Sequence, residues 1–395
     1  MTDFDVVVVG AGPVGIALAA RLAQRWGEQA HRILLIDAKT IEAAAKDPRT
    51  LALADTSKTR LALLGFPQNA VPMQHIHVSE YGRFGRVVMS AQDLQRPALG
   101  WTVRYGDLVT CLHEAVLKTG ITCWRGVALQ SSVEQTDHIE LTLSDGKSIS
   151  SVLQVDAEGG LFGQAHARDT VRDYQQWALV ATVSAQTYQS QSESNAVKRR
   201  AVAYERFTPD GPLAFLPTAV DGSRYAMVWC ASPELTEQRK ATDPAELLKQ
   251  VSALMGGRLP LNGLQDLASF PLGLNMKTLL VQGRRVCVGN AAQILHPVAG
   301  QGLNLGLRDA DALAQCLSPS QMASFDALSA ALDAFEQSRK ADRQVLVTLT
   351  DWMARGFANR NPVISAGRQL ALLGLEFLPG AKRFFAETML FGWVR

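Results

Sequence analysis

Gly10, Gly12 and Gly15 stand in the spacing G-x-G-x-x-G directly after the apolar run Val6 to Val9. Glycines so placed do their chemistry through the main chain. The first permits a tight turn, the second lets the backbone approach a pyrophosphate, and the third lets a following helix lie close against the strand. A helix opening near Pro13 would aim its unpaired N–H groups and the positive end of its dipole at that pyrophosphate. The same triplet also occurs in tight turns that hold no ligand. "HRILLID" (31–37) favours the ligand, because it ends in Asp37, an acid at the spacing that hydrogen-bonds an adenosine ribose. Together they point to a bound dinucleotide, whose kind these residues leave open.

A second candidate lies late in the chain. "RRVCVGNAAQILHPVAGQGLNLGLRDADAL" (284–313) reads as a strand at Val286 to Val288, a turn at Gly289-Asn290, a loop, and a helix starting near Gly302. Leu303, Leu307, Ala310 and Leu313 form that helix's buried stripe. "HPVAGQGLN" is richer in Pro and Gly than a turn that merely reverses direction. Its glycines would bare N–H groups at a helix start, where an anionic ring is stabilised. Two such units far apart in sequence suggest one large ligand held between them.

The elements that must position these turns can be read from periodicity. Residues 47–65 read as a polar, helix-prone stretch whose Leu61, Leu64 and Phe66 end an amphipathic helix before Pro67. "HIHVSEYGRFGRVVMS" (75–90) switches to the period of strands. His75 and His77 share a strand face there, and a metal site would need further ligands nearby. "YGDLVTCLHEAVLKTG" (105–120) reads as a helix stopped by Gly120. Residues 139–160 read as a hairpin turning at Asp145-Gly146 and leading into Glu158-Gly159. A strand-rich block runs from about Trp177 to Pro271, broken by a polar loop at 186–200 that carries little to hold it in place.

Composition bounds the class. The chain has 395 residues, 47% hydrophobic and 19% charged, which suits a protein with a large core. A net charge of +2 without a basic, aromatic-interleaved stripe gives no support to nucleic-acid binding. Cys111, Cys123, Cys230, Cys287 and Cys316 are dispersed, lack any C-x-x-C, and argue for reduced thiols in a cytoplasmic setting without a metal. The first strand begins at once, leaving no room for a signal peptide, and no run of 18 apolar residues occurs.

On these residues the chain resembles the class A flavoprotein aromatic hydroxylases, and more narrowly the 2-polyprenyl-6-methoxyphenol hydroxylases of ubiquinone biosynthesis. The matching stretches are "VVVVGAGPVGIALA", "DPRTLALADTSKTRL", "AYERFTPDGPLAFLP" (203–217) and "GNAAQILHPVAGQGLNLGLRDADAL". "FEQSRKADR" (335–343) and residues 350–376 match less strictly. The resemblance implies non-covalent FAD, with Gly10, Gly12, Pro13, Val14 and Gly15 at its pyrophosphate and Asp37 and Ala38 at its ribose. Arg49, in the D-x-R position, and Arg104 would lie beside the cofactor. Gly289, Asn290, Pro297, Gly300, Gln301, Gly302, Leu303 and Asn304 would line the ribityl chain and isoalloxazine. It further implies NAD(P)H as a transient reductant without its own Rossmann unit, a flavin C4a-hydroperoxide formed with O₂, and oxygen transfer to a phenol ring. The protein's share of that chemistry is position, a dry site and donors for charge on the reduced ring.

Against the family pattern, Glu158-Gly159 replaces Asp-Gly, with Phe162 and Ala165 where Ser and Arg follow, and Gly289-Asn290 replaces Gly-Asp. Asn can bond a ribityl hydroxyl but brings no charge. His296 is the best acid–base candidate, with Arg49 a second catalytic candidate; His296 equally reads as a brace for its loop. Glu205 and Arg206, adjacent on a strand, point to opposite faces, so at most one can face a ring pocket.

The expected architecture is α/β: a Rossmann-like, discontinuous FAD-binding domain of mainly parallel sheet, an inserted β-rich substrate domain, and a helical C-terminus. The FAD-binding parts span 1–72, 101–172 and 275–350, the substrate parts 73–100 and 173–274, and the helical segment 351–395. Residues 355–395 set six cations and several apolar clusters against Glu376 and Glu387 alone. That composition suits peripheral contact with an anionic membrane face, where a prenylated phenol would be collected, or with other quinone-biosynthesis proteins. It equally suits helices docked on the flavin domain. Two other functions stand beside a hydroxylase: a non-catalytic flavin-binding subunit, and a flavin oxidase or dehydrogenase that inserts no oxygen.

Overall fold

The computed structural model describes residues 2–83, 85–159, 169–186, 202–296, 300–358, 374 and 378–391. Phe4–Val9 forms a strand whose Val6, Val7 and Val8 are fully buried, and it sits inside an eight-stranded sheet. It pairs in parallel with Ile33–Asp37 on one side and Ser148–Asp156 on the other. Thr122–Arg125 extends the sheet beyond Ile33–Asp37, and Arg285–Cys287 extends it beyond Ser148–Asp156, both in parallel. The hairpin of Ile139–Leu143 and Ser148–Asp156 turns at Gly146, which takes a positive φ of 84°. Strands buried on both faces explain the continuous apolar runs.

Helices cover this sheet. Pro13–Trp26 leads from the glycine turn, Tyr105–Val116 lies beside it, and Gln301–Cys316 packs against it. Their apolar stripes join one core with Val6, Val8, Ile33 and Leu35. The long helix Phe325–Ala358 packs on Gln301–Cys316 in turn, and a further helix spans Pro379–Phe391.

A second eight-stranded sheet is mostly antiparallel and has the order Gln293–Ile294, Leu261–Met276, Thr170–Ala185, Arg224–Ala231, Gly211–Pro217, Val202–Thr208, His75–Glu80, Arg86–Ser90. One face of it is sealed by the helix Pro244–Met255, through Leu247, Val251 and Met255 against Phe215, Tyr225, Met227 and Trp229. His75–Glu80 and Val202–Thr208 pair in parallel, which ties residues 75–80 into the later strand block.

The helix expected across 47–65 is shorter than its composition suggests. Thr50–Ala54 is a strand, paired antiparallel with Gly100–Arg104, and only Asp55–Arg60 is α-helical. The "LALA" run carries no period that separates helix from strand, and a ladder with a distant segment decides it. The polar loop at 186–200 falls, apart from Gln186, outside the described residues, as do Phe162, Ala165 and Pro297.

Candidate active site

The glycine turn is built as its spacing requires. Gly10 has φ of 105°, and a Cβ there would meet the Glu158 backbone nitrogen at 2.7 Å. A Cβ on Gly15 would overlap the Gly10 carbonyl oxygen, so the third glycine is what lets the helix close on the strand. Gly12 caps the helix Pro13–Trp26 with no side chain and no acid in its first turn. Its N–H groups are therefore not taken by a side-chain cap, as an anion site at a helix start requires.

Asp37 stands at the end of its strand, as expected. One carboxylate oxygen accepts the Ala11 N–H at 2.6 Å and the other accepts the Lys39 N–H at 2.7 Å. Ala38 follows, exposed. Arg125, which the sequence reading did not single out, pairs with Asp37 in the strand register. Its Nη2 donates to the Ala11 carbonyl at 2.7 Å, while Nη1 is buried and makes no hydrogen bond among the described residues. A buried guanidinium donor left over beside the turn fits an anionic or hydroxyl-rich ligand there. No motif marks Arg125; its place at the end of the third parallel strand is its only signal.

Arg49 forks onto Asp47, Nη2 to Oδ2 at 2.7 Å, and its guanidinium lies 4.7 Å from the Tyr105 ring centroid. Tyr105 reaches the glycine turn: a Cβ on Gly12 would come 3.2 Å from its hydroxyl. The D-x-R segment and the glycine turn thus meet through a tyrosine the sequence reading passed over.

The second unit converges on the first. Gly300 caps the helix Gln301–Cys316 with φ of 58° and again no side-chain cap. A Cβ on Gly302 would meet nothing within 4 Å among the described residues, with Leu303 partly exposed and Gln301 buried beside it. Gly289 has φ of 61°, and Cβ atoms at Gly289 or Gly306 would press on Val14. The two helix starts are locked together by that contact.

Four residues expected at the site have side chains engaged within the protein. Val14 fills the core between Gly289 and Gly306, so only its backbone can serve a ligand. Asn304 is a clamp: its Oδ1 accepts the Ala54 N–H at 2.9 Å and the Ser57 hydroxyl at 2.7 Å, and its Nδ2 donates to the Gly300 carbonyl. Arg104 donates to the carbonyls of Ala45, Lys46 and Asp47. His296 is 1% exposed, bonds Gln176 through Nε2 at 3.1 Å and meets the Tyr174 ring edge-on. Burial pushes its pKa down to about 4, so it is neutral at physiological pH and braces its loop against the second sheet.

The two departures from the family pattern are neighbours. A Cβ on Gly159 would lie 4.0 Å from Asn290 Nδ2. Partial burial, then the Asp156 and Asp37 carboxylates, raise the Glu158 carboxyl above its usual range. A neutral Asn290 avoids adding one more carboxylate to that group.

Behind the late turn lies a buried charge network absent from the sequence reading. Arg308 pairs with Asp342 at 2.8 Å, and Arg339 with Asp309 at 2.8 Å and Asp342 at 2.7 Å. Asp309 also accepts from Gln293 Nε2 at 2.6 Å, and Gln293 Oε1 accepts from Arg343 at 2.7 Å. The "SRKADR" segment thereby fastens the Gly289–Gln293 turn from behind. Among the described residues no cluster of ligands suited to a metal occurs, and no helix is long and apolar enough to cross a membrane.

Two uncapped helix starts, a carboxylate at a strand end and close-approach glycines are the features a dinucleotide site requires. The chain belongs to the FAD-binding domain family, whose model matches residues 3–350. It is 29% identical over 404 residues to the ubiquinone hydroxylase UbiL of Rhodospirillum rubrum, covering 96% of this chain and 88% of that one. It is 28% identical to the 3-demethoxyubiquinol 3-hydroxylase of Escherichia coli, covering 94% of each. The fold matches p-nitrophenol 4-monooxygenase PnpA of Pseudomonas putida DLL-E4 with a TM-score of 0.73 at 16% identity, over 99% of both chains. The expected class is borne out: an FAD-dependent aromatic-ring monooxygenase.

Proposed function

We propose that this protein hydroxylates the ring of a polyprenylated phenol in ubiquinone biosynthesis, with 2-polyprenyl-6-methoxyphenol as the substrate and NAD(P)H as the reductant. The observation that carries the reading is the meeting of two helices with uncapped starts, at Gly12 and Gly300, which pack on each other and are keyed by Val14 against Gly289 and Gly306. The end-to-end similarity to ubiquinone hydroxylases supports the substrate class.

FAD, when bound, supplies the redox chemistry and the activation of O₂. This chain's residues do the rest. Gly10, Gly12 and Gly15 admit the pyrophosphate, with Arg125 Nη1 as a further donor and Asp37 as the acceptor for a ribose hydroxyl. The helix start at Gly300 to Leu303 offers backbone donors where negative charge on the reduced ring would develop. Asn304 sets the angle of that helix start by holding it to Ala54 and Ser57. The partly exposed row Val78, Ala214, Val228 and Val180 offers an apolar lining for a prenylated ring.

The helix Pro379–Phe391 supports a membrane-facing role. Phe384 is 59% exposed, as is Leu378 just before it, beside Lys382 and Arg383. A substrate with a prenyl tail resides in a bilayer, and such a surface would bring the protein to it.

The test is direct. Purified protein should be yellow, releasing FAD on heating. NAD(P)H oxidation should be stimulated by a short-chain 2-prenyl-6-methoxyphenol, with a product one oxygen heavier by mass. Stimulated oxidation that yields only hydrogen peroxide would favour an oxidase, and FAD binding without oxidation a non-catalytic subunit.

A further inference from the structure

Val202–Thr208 has two faces with different fates. Tyr204 and Arg206 point to the sealed side. Tyr204 meets His77 and Tyr225, and Arg206 donates to Ser79 at 3.0 Å and lies 5.6 Å from the Tyr81 ring. Glu205 therefore points to the other side.

The register gives its neighbours there. Val78 lies beside it on one flank, and Ala214, Val228 and Val180 follow on the other. Every one of these keeps accessible surface, as does Glu205, whereas the opposite face is closed core. Glu205 keeps part of its surface accessible, yet enough protein lies around its carboxyl for burial to disfavour the charged form. Among the described residues no hydrogen bond or ion pair reaches it. Cys230 is close enough to feel its charge, and Glu80 lies on the same face one pair along.

Packing links that face to the helix start at Gly300. Val78 belongs to one apolar cluster with Ala54, and the Ala54 N–H is held by Asn304 in the first turn of the Gly300-capped helix. His296, at the head of the late loop, bonds Gln176 on the same strand as Val180.

Resting on the hydroxylase reading above, we propose that Glu205 accepts the hydroxyl proton of the phenol substrate. The phenol O–H bond breaks, its electron pair stays on oxygen and spreads into the ring, and the proton bonds to a Glu205 carboxylate oxygen. The proton returns when the product phenol reforms, and no electron enters or leaves. A phenolate-like ring is the better nucleophile toward an electrophilic oxygen. Burial alone pushes the Glu205 carboxyl up to about 7, where an acid–base group serves best near neutral pH. Its isolation in an apolar row leaves it a vacant acceptor, which a buried carboxylate keeps only at a cost.

The experiment compares the FAD holoenzyme with Glu205→Gln and Glu205→Asp, with FAD content and unfolding midpoint measured as folding controls. With the prenylated phenol, Glu205→Gln should lower kcat about 100-fold with KM little changed, and the acid limb of the pH profile should vanish. Glu205→Asp should restore part of both. Wild-type hydroxylation with an unaltered kcat and pH profile in Glu205→Gln would overturn the inference and leave the reading standing. No hydroxylation by the wild type would fail the reading instead. A second measurement then decides on Glu205 without turnover: titration of 4-nitrophenol bound to the oxidised holoenzyme, followed by absorbance. A carboxylate beside the phenol disfavours a second negative charge, so the phenolate band should appear at higher pH in the wild type than in Glu205→Gln. Identical titrations would overturn the inference.

Discussion

Asp309 and Arg339 form an ion pair of 2.8 Å in which Asp309 has no exposed surface and Arg339 almost none. The carboxylate's other oxygen accepts from Gln293, so one residue holds both the long helix and the turn after Gly289. Asp309→Asn would leave Arg308, Arg339 and Arg343 with Asp342 as the remaining carboxylate of the network. Breaking one side of a buried pair costs about 3–5 kcal/mol. Denaturant unfolding should show a loss of that order, with FAD released earlier than in the wild type. An unchanged midpoint would mean the network contributes nothing net.

Gly15 and Gly302 should part company under the same substitution. A methyl at Gly15 collides with the Gly10 carbonyl, so Gly15→Ala should not yield a folded, yellow protein. A methyl at Gly302 meets nothing among the described residues, and Ala favours a helix over Gly by up to about 1 kcal/mol. Gly302→Ala should therefore unfold no earlier as apoprotein yet hold FAD more weakly, because the methyl enters the space left for the ligand. Equal FAD affinity would place the cofactor elsewhere.

Two buried groups give stability opposite pH slopes. His296, held down to about 4, stays neutral in the fold while the unfolded chain takes up a proton below its ordinary 6.5. Stability should fall as pH drops from 6.5 to 4, by ~3 kcal/mol at the foot of that window. His296→Gln should remove this slope. Glu205, held up to about 7, keeps a proton that the unfolded chain releases above its ordinary 4.5. Stability should fall as pH rises from 4.5 through 7, again by ~3 kcal/mol in all. Glu205→Gln should therefore be more stable than the wild type at pH 8 while a poorer catalyst. Unfolding free energies across pH 4–8 check both signs.

Vesicles of anionic phospholipid should bind the protein at low salt and release it as salt rises. Replacing Leu378 and Phe384 together by Ser should weaken binding without altering FAD content, since both side chains are exposed. Full-length protein that ignores such vesicles would assign substrate delivery to a partner.

The cofactor turns were legible because backbone approach leaves few residue choices. Gly10, Gly15 and Gly300 each stand where a side chain would collide or strain the chain. The hairpin at Gly146 and the helix stop at Gly120 were legible for the same reason, both taking φ of 84°. What escaped notice depends on partners distant in sequence. The strand Thr50–Ala54 is defined by pairing with residues 100–104. Nothing in their own segments marks Arg308, Arg339 and Arg343 as buried; the packing of two helices does that. Nothing in the segment around Asn304 announces its bonds to Ala54 and Ser57.

Arg21 on the first helix bonds Asp311 on the late one, 290 residues further along the chain. A ribosome must therefore release nearly the whole flavin domain before the two helix starts can meet, and contacts of such separation form slowly. A half-made chain holds one glycine turn and no second wall, so it gives FAD little to grip. The cofactor then acts as a ligand of the finished fold alone, and binding it draws the folding equilibrium forward by mass action. Cellular flavin supply becomes a determinant of how much of this protein survives, apart from how fast each copy works.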